Sequence, residues 1–114
     1  MSAITTHVLD TSRGLPAAGV SVLLERRAGH AEWRAVGRGD TDADGRLRSL
    51  IPDGHPLVAG IYRMKFDTGR YFEAQGVQAF YPEVVVVFET VPGESRYHVP
   101  LLLGPYGYTT YRGT

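Results

Sequence analysis

Short runs of Val, Ile, Leu, Tyr and Thr alternate with polar residues along this chain, and glycines and prolines break the runs at frequent intervals. Period-two alternation of this kind predicts β-strands with one face turned to a core. The first such segment is Ile4–Asp10, closed by Ser12-Arg13-Gly14. The pattern returns at 19–27, 32–38, 46–50, 60–67, 84–89, 96–103 and 108–112. Between them lie turn formers: Ala28-Gly29-His30, the acidic stretch from Asp40 to Gly45, Pro52-Asp53-Gly54-His55-Pro56, Pro92-Gly93-Glu94-Ser95 and Gly104-Pro105-Tyr106-Gly107. Proline cannot donate to a ladder and glycine takes turn conformations at little cost, so these segments separate strands. One region departs from the pattern. Glu73-Ala74-Gln75 favours helix, and a short helix is expected over 70–75. Strands in this number, joined by short turns, predict an all-β sandwich in a single domain spanning 1–114.

Strand parity then assigns faces. In the first strand Thr5, His7 and Leu9 share one side and Ile4, Thr6 and Val8 the other. In the seventh, Tyr97, Val99 and Leu101 oppose His98, Pro100 and Leu102. A hairpin through 104–107 places Thr109 and Tyr111 on the His98 side, and a first strand laid alongside adds His7. Val20, Val22, Leu24, Val85, Val87, Val99 and Leu101 are the expected core.

Composition narrows the chemistry. Lys and Arg number 12 and Asp and Glu number 12, so there is no basic excess for nucleic acid or an anionic membrane. No apolar run approaches the ~20 residues of a membrane helix, and no membrane partner is expected. Cysteine is absent, which removes disulfides, thiolate metal sites and a cysteine nucleophile. The opening residues lack the basic and apolar regions of a secretion signal, and a cytoplasmic location is expected. No Gly-x-Ser-x-Gly elbow and no phosphate-cradling glycine loop is present. The Asp40–Gly45 stretch faintly echoes a calcium loop but lacks the distal Glu. His7 and His98 have no third ligand at metal spacing, so neither a metal nor another cofactor is expected. His30 and His55 sit in turns and are read as solvated. His7 and His98, each inside an apolar strand, remain the candidates for proton transfer near neutral pH.

Several segments resemble one known family. Ile4-Thr5-Thr6-His7-Val8-Leu9-Asp10, followed by Arg13-Gly14-Leu15-Pro16-Ala17, looks like the opening of the transthyretin family. Phe80-Tyr81-Pro82-Glu83-Val84 resembles its stretch after a short helix. The tail from Tyr97 to Thr114 is similar to the enzyme branch, which opens the six-membered ring of 5-hydroxyisourate in urate breakdown. That branch ends in Tyr-Arg-Gly-Ser; here the tetrapeptide is Tyr111-Arg112-Gly113-Thr114, which keeps the hydroxyl and adds a methyl.

The resemblance implies a transthyretin-like sandwich of two four-stranded sheets with one short helix. It implies a homotetramer, a dimer of dimers, with active sites between dimers. It carries catalytic roles onto His7, Arg46 and His98, and substrate contacts onto His7, Arg46, Tyr111, Arg112 and Thr114. The implied substrate is a small purine-derived ring, hydrolysed by His- and Arg-assisted attack of water without a metal. The alternative is a transthyretin-like tetramer that holds a small ligand without turning it over.

Overall fold

A computed structural model describes residues 3–114; Met1 and Ser2, where the stretch read for targeting begins, lie outside the described residues. The strands are β1 (Ile4–Asp10), β2 (Leu15–Pro16), β3 (Ser21–Ala28), β4 (Glu32–Asp40), β5 (Arg46–Leu47), β6 (Gly60–Phe66), β7 (Val84–Thr90), β8 (Tyr97–Leu103) and β9 (Tyr108–Thr110), with helix α1 (Thr68–Glu73) between β6 and β7. They form two sheets. One has four strands in the order β4-β3-β6-β7. The other runs β2-β1-β8-β9, and β5 joins it by pairing with β1. That makes five strands where the resemblance implied four. The extra one is Leu15–Pro16, too short to show alternation, which pairs with Leu9 and Asp10 on β1.

The expected fourth strand, 46–50, is shorter in the structure. It leaves the sheet after Leu47 because Leu50 and Ile51 turn inward and are buried. The helix lies two residues earlier than expected at both ends, from Thr68 to Glu73 with Ala74 as its C-cap, and the turn after it passes through Gly76 at φ +70°, a conformation glycine takes freely.

β1 and β8 lie parallel in the middle of their sheet, with Thr5 opposite His98 and His7 opposite Pro100. Their inner faces supply Ile4, Val8, Val99, Leu101 and Leu103, and the other sheet answers with Val22, Leu24, Met64, Phe66 and Val84. Each of these buried aliphatic or aromatic side chains contributes about 1.5–3 kcal/mol relative to exposure. Two of the expected core residues face the other way: Val85 is 37% and Val87 58% exposed. The inner side of β7 is Val84, Val86 and Phe88 instead. Four consecutive valines carry no alternation, so parity there had no signal to follow.

Asp10, at the end of β1, is a buried carboxylate with a full set of donors. Its Oδ1 accepts from the Ser12 amide (3.0 Å), the Ser12 hydroxyl (2.6 Å) and the Arg13 amide (3.2 Å). Its Oδ2 accepts from the Tyr71 hydroxyl (2.8 Å), which ties α1 to the first turn. Burial pushes the carboxyl's pKa up, but the hydrogen bonds from Ser12, Tyr71 and Arg13 outweigh it and hold Asp10 below its usual 3.8. A depressed carboxylate stabilises the fold above the unfolded-state pKa, and that contribution disappears as pH falls through the lower folded value. Asp10→Asn is therefore expected to unfold at lower urea near neutrality and to lose less stability below pH ~4 than the parent. Urea midpoints across pH 2–7 (about the range needed) check this.

Candidate functional site

The site is built on the outer side of the β1–β8 pair. Parity turns Thr6 inward, where its hydroxyl donates to the Val99 carbonyl at 2.6 Å, and turns Thr5 and His7 outward. On the far edge of β1, His7 stands opposite Arg46 of β5. The turn before β5 is set by Asp42, whose Oδ1 accepts from the Asp44 and Arg46 amides at 2.9 Å each. The Arg46 amide is the main reason the Asp42 carboxyl sits below its usual range. Gly45 completes the turn at φ +76°, and its carbonyl accepts the Val8 amide at 2.7 Å. A Cβ at Gly45 would also meet the Val8 carbonyl oxygen at 2.3 Å, so glycine is required there twice over. The acidic stretch thus works as a bracket that delivers Arg46 to the sheet.

A cleft of about 660 Å³ opens here, and its wall includes Thr5, Thr6, Arg46, Arg48, Arg96, Tyr97, His98, Arg112, Gly113 and Thr114. Four of these are arginines and none is acidic. Arg112 reaches Glu94 at 3.4 Å, an exposed pair, and its guanidinium lies 4.8 Å from the centre of the Tyr97 ring. After β9 the chain bends back, and the Gly113 amide donates to the His98 carbonyl at 2.7 Å. His98 itself is half-buried. Burial, then the charges of His7 and Arg46, lowers its pKa from the ordinary 6.5, so the imidazole is neutral at pH 7.

His7 is differently engaged. Its Nε2 lies 2.8 Å from the Asp44 carbonyl oxygen. A carbonyl only accepts, so this nitrogen carries the proton.

Of the residues singled out in the sequence, Arg46, His98, Arg112 and Thr114 line the cleft together. His7 stands on the same face and presses electrostatically on His98 without lining that wall. Tyr111 is 55% exposed and lines a separate hollow of about 240 Å³ with Val86, Phe88 and Val99. β9 ends at Thr110, so the face expected for Tyr111 from strand parity is not kept. The cleft residues that went unrecognised in the sequence include Thr5, Arg48 and Arg96. Only Thr5 left a trace, by sharing parity with His7. Among the described residues no three His, Asp or Glu side chains converge as a metal set would. Nor is any helix long and apolar enough to cross a membrane.

Gly113 packs against His98 so closely that a Cβ would lie 2.6 Å from His98 Cδ2 and 3.2 Å from Pro100 Cγ. Gly113→Ala is thus expected to displace the imidazole and to slow by about 10²-fold any reaction in which His98 takes part, the scale of a small misplacement at a reacting centre. Its thermal midpoint should stay near that of the parent; steady-state kinetics and a melting curve read the two separately.

Comparison with known proteins adds four likenesses. The family model described as HIUase/Transthyretin matches residues 4–113. The 5-hydroxyisourate hydrolase of Caulobacter vibrioides is 45% identical over 119 aligned residues, covering 100% of both chains. The solved 5-hydroxyisourate hydrolase of Klebsiella pneumoniae superposes with a TM-score of 0.86 at 35% identity, covering 100% of both chains. Sea bream transthyretin in complex with thyroxine superposes with a TM-score of 0.89 at 34% identity, covering 98% of this chain and 95% of that one.

Proposed function

The chain belongs to the HIUase/Transthyretin family, and from that membership we propose that it is a hydrolase that opens the six-membered ring of 5-hydroxyisourate in urate breakdown. The observation that carries the enzyme over the carrier is the meeting of a neutral His98 with Arg46 in one cleft that holds no acidic side chain. A planar, oxygen-rich ring needs donors that fix it, an activated water, and charge to stabilise the oxyanion.

In this proposal His98 is the general base. His7 has committed the proton on Nε2 to Asp44, whereas the Nε2 of His98 is not held by the hydrogen bond at its Nδ1. His98 takes a proton from water as the water oxygen bonds to the ring carbonyl carbon. The negative charge grows on the carbonyl oxygen opposite Arg46, whose guanidinium stabilises it. The tetrahedral intermediate then collapses. The carbon–nitrogen bond breaks, the nitrogen receives the proton from His98, and a ureido group and a carboxylic acid are left, the acid then losing its proton to solvent to become a carboxylate. Arg46 holds the substrate from the β1–β5 edge, with His7 beside it on the same face at the rim, and Arg112 and Thr114 hold it from the returning tail. Tyr111, outside this cleft in the single chain, would wall the pocket of a neighbouring subunit. No metal takes part in the proposed step.

The proposal includes a homotetramer built as a dimer of dimers, in the cytoplasm. Among the described residues β7 and β9 are edge strands, which supports the assembly, as do the exposed Phe80, Tyr106 and Tyr111 beside them or in nearby turns. Sedimentation equilibrium at micromolar protein tests it, and a monomer would overturn it.

The function is tested with freshly generated 5-hydroxyisourate, which decays by itself. Its ultraviolet absorbance is expected to vanish faster as protein is added, in proportion to concentration. Saturable binding of the compound without faster decay would replace the enzyme with the ligand-holding alternative, to which the likeness to thyroxine-bound transthyretin points.

A further inference from the structure

The proposed base needs its proton on one particular nitrogen. A neutral imidazole is a base at one ring nitrogen and a donor at the other, and the partner at one end biases which is which; a hydroxyl there can either accept from the ring or donate to it. In this protein the far end of His98 is not left to solvent. Nδ1 lies 2.8 Å from the hydroxyl oxygen of Thr5, which the parallel β1–β8 register places directly opposite His98. The ring is held on its other edge by the Gly113 backbone, against which its Cδ2 is packed.

We propose that Thr5 is a positioning residue: its hydroxyl accepts the Nδ1–H of His98, fixes that tautomer, and so presents an unprotonated Nε2 to water in the cleft. This rests on the reading of His98 as the base and adds to it the group that makes it one.

The chemistry is consistent through the cycle. When Nε2 takes the proton from water the ring becomes imidazolium, and Nδ1–H remains a donor, now a charged one. Hydrogen bonds from charged donors are stronger than neutral ones, so the Thr5 contact tightens as charge develops. It offsets part of the repulsion from the Arg46 guanidinium of β5; the other titratable or charged groups around the ring are His7 of β1 and, lining the same cleft, Arg48 after β5, Arg96 before β8 and Arg112 of the tail. β1 is paired on both sides and its inner face is in the core, so the hydroxyl sits on a rigid element.

The test pairs Thr5→Val, which keeps the branched shape and removes the hydroxyl, with Thr5→Ser, which keeps the hydroxyl. Thr5→Val is expected to lower kcat about 10-fold with KM changed less than about 2-fold, and to move the acid limb of the kcat/KM profile to lower pH. Thr5→Ser should restore both. Equal kinetics and equal pH limbs for parent and Thr5→Val would overturn the assignment, as would failure of Thr5→Ser to rescue.

A second measurement does not depend on turnover or on the variants folding. Nitrogen-15 NMR of the parent, with His98 assigned, is expected to find the proton on Nδ1 at pH 7–8 (roughly the neutral range for a ring of pKa near or below the ordinary value). A proton on Nε2 would overturn the role of Thr5 even in an active enzyme. A proton on Nδ1 in a protein that leaves 5-hydroxyisourate untouched would retain the hydrogen bond and remove the hydrolase reading instead.

Discussion

His98→Ala is expected to lower kcat by at least ~10²-fold, the usual scale for a general base, while leaving the unfolding midpoint close to that of the parent. The side chain is half-buried on the outer face of β8, and the neighbouring core positions Tyr97, Val99 and Leu101 keep their packing when it is removed. Arg46→Ala is expected to lose as much through the oxyanion, and its KM should rise because the same guanidinium binds the ring.

The two variants differ in pH dependence. Arg46 is one of the charges that depress the pKa of His98. Removing it lets the acid limb of kcat/KM climb toward the ordinary imidazole value of 6.5, whereas Arg46→Lys keeps the charge and the low limb. Initial rates from absorbance decay between pH 5 and 9 (about the window over which histidine reports) resolve this. Near-parental turnover of both alanine variants would remove the proposed assignments.

Phe66→Ala acts on stability instead. Phe66 is fully buried at the end of β6, opposite Val22 of β3 and Val84 of β7 on the four-stranded sheet's inner face. Truncating it leaves a cavity that the paired strands on both sides cannot close, and a loss of about 3–5 kcal/mol is expected. Urea unfolding at one fixed protein concentration measures it, since assembly links apparent stability to concentration. Phe66 touches no part of the cleft, so the fraction that remains folded should turn over at the parental rate. A loss below about 1 kcal/mol would mean that the two sheets pack more loosely than the burial of Phe66 implies.

Much of this architecture was legible in the sequence, and the exceptions have physical causes. β1 and β8 were readable as short runs rich in Ile, Val, Leu, Tyr and Thr bounded by turn formers, and strand parity put Ile4 with Val8, and Val99 with Leu101, on one face of each. The helix was readable from Glu73-Ala74-Gln75, although its start at Thr68 was not. The inner side of β7 was misassigned because Val84-Val85-Val86-Val87 has no alternation, and only pairing with β6 decides which valine points inward. β2 was missed because two residues cannot display a period.

Within the site, His98 and Arg46 were found by residue type and by likeness to a family. Thr5, Arg48 and Arg96 were not found, because threonine and arginine on a strand's outer face are by default solvated. What singles out Thr5 is the parallel register with β8, and no local pattern sets the pairing of strands more than 80 residues apart (His98 to Thr5 spans 93). Tyr111 failed for a related reason: the chain leaves the strand after Thr110 to bring Gly113 onto His98, a bend that parity along β9 cannot foresee.

β1 is flanked by β8 on one side and by β2 and β5 on the other, and nearly every outward residue of the cleft is referenced to it. One residue inserted between Thr5 and His7 would swing half of the strand through the sheet, sending a polar group into the core and an apolar one to the water. Lengthening of this gene product by evolution or by engineering is therefore confined to places where no partner strand counts positions, such as the Pro52-Asp53-Gly54-His55-Pro56 loop. An affinity epitope or a reporter peptide grafted there would leave the alignment of imidazole, guanidinium and hydroxyl untouched.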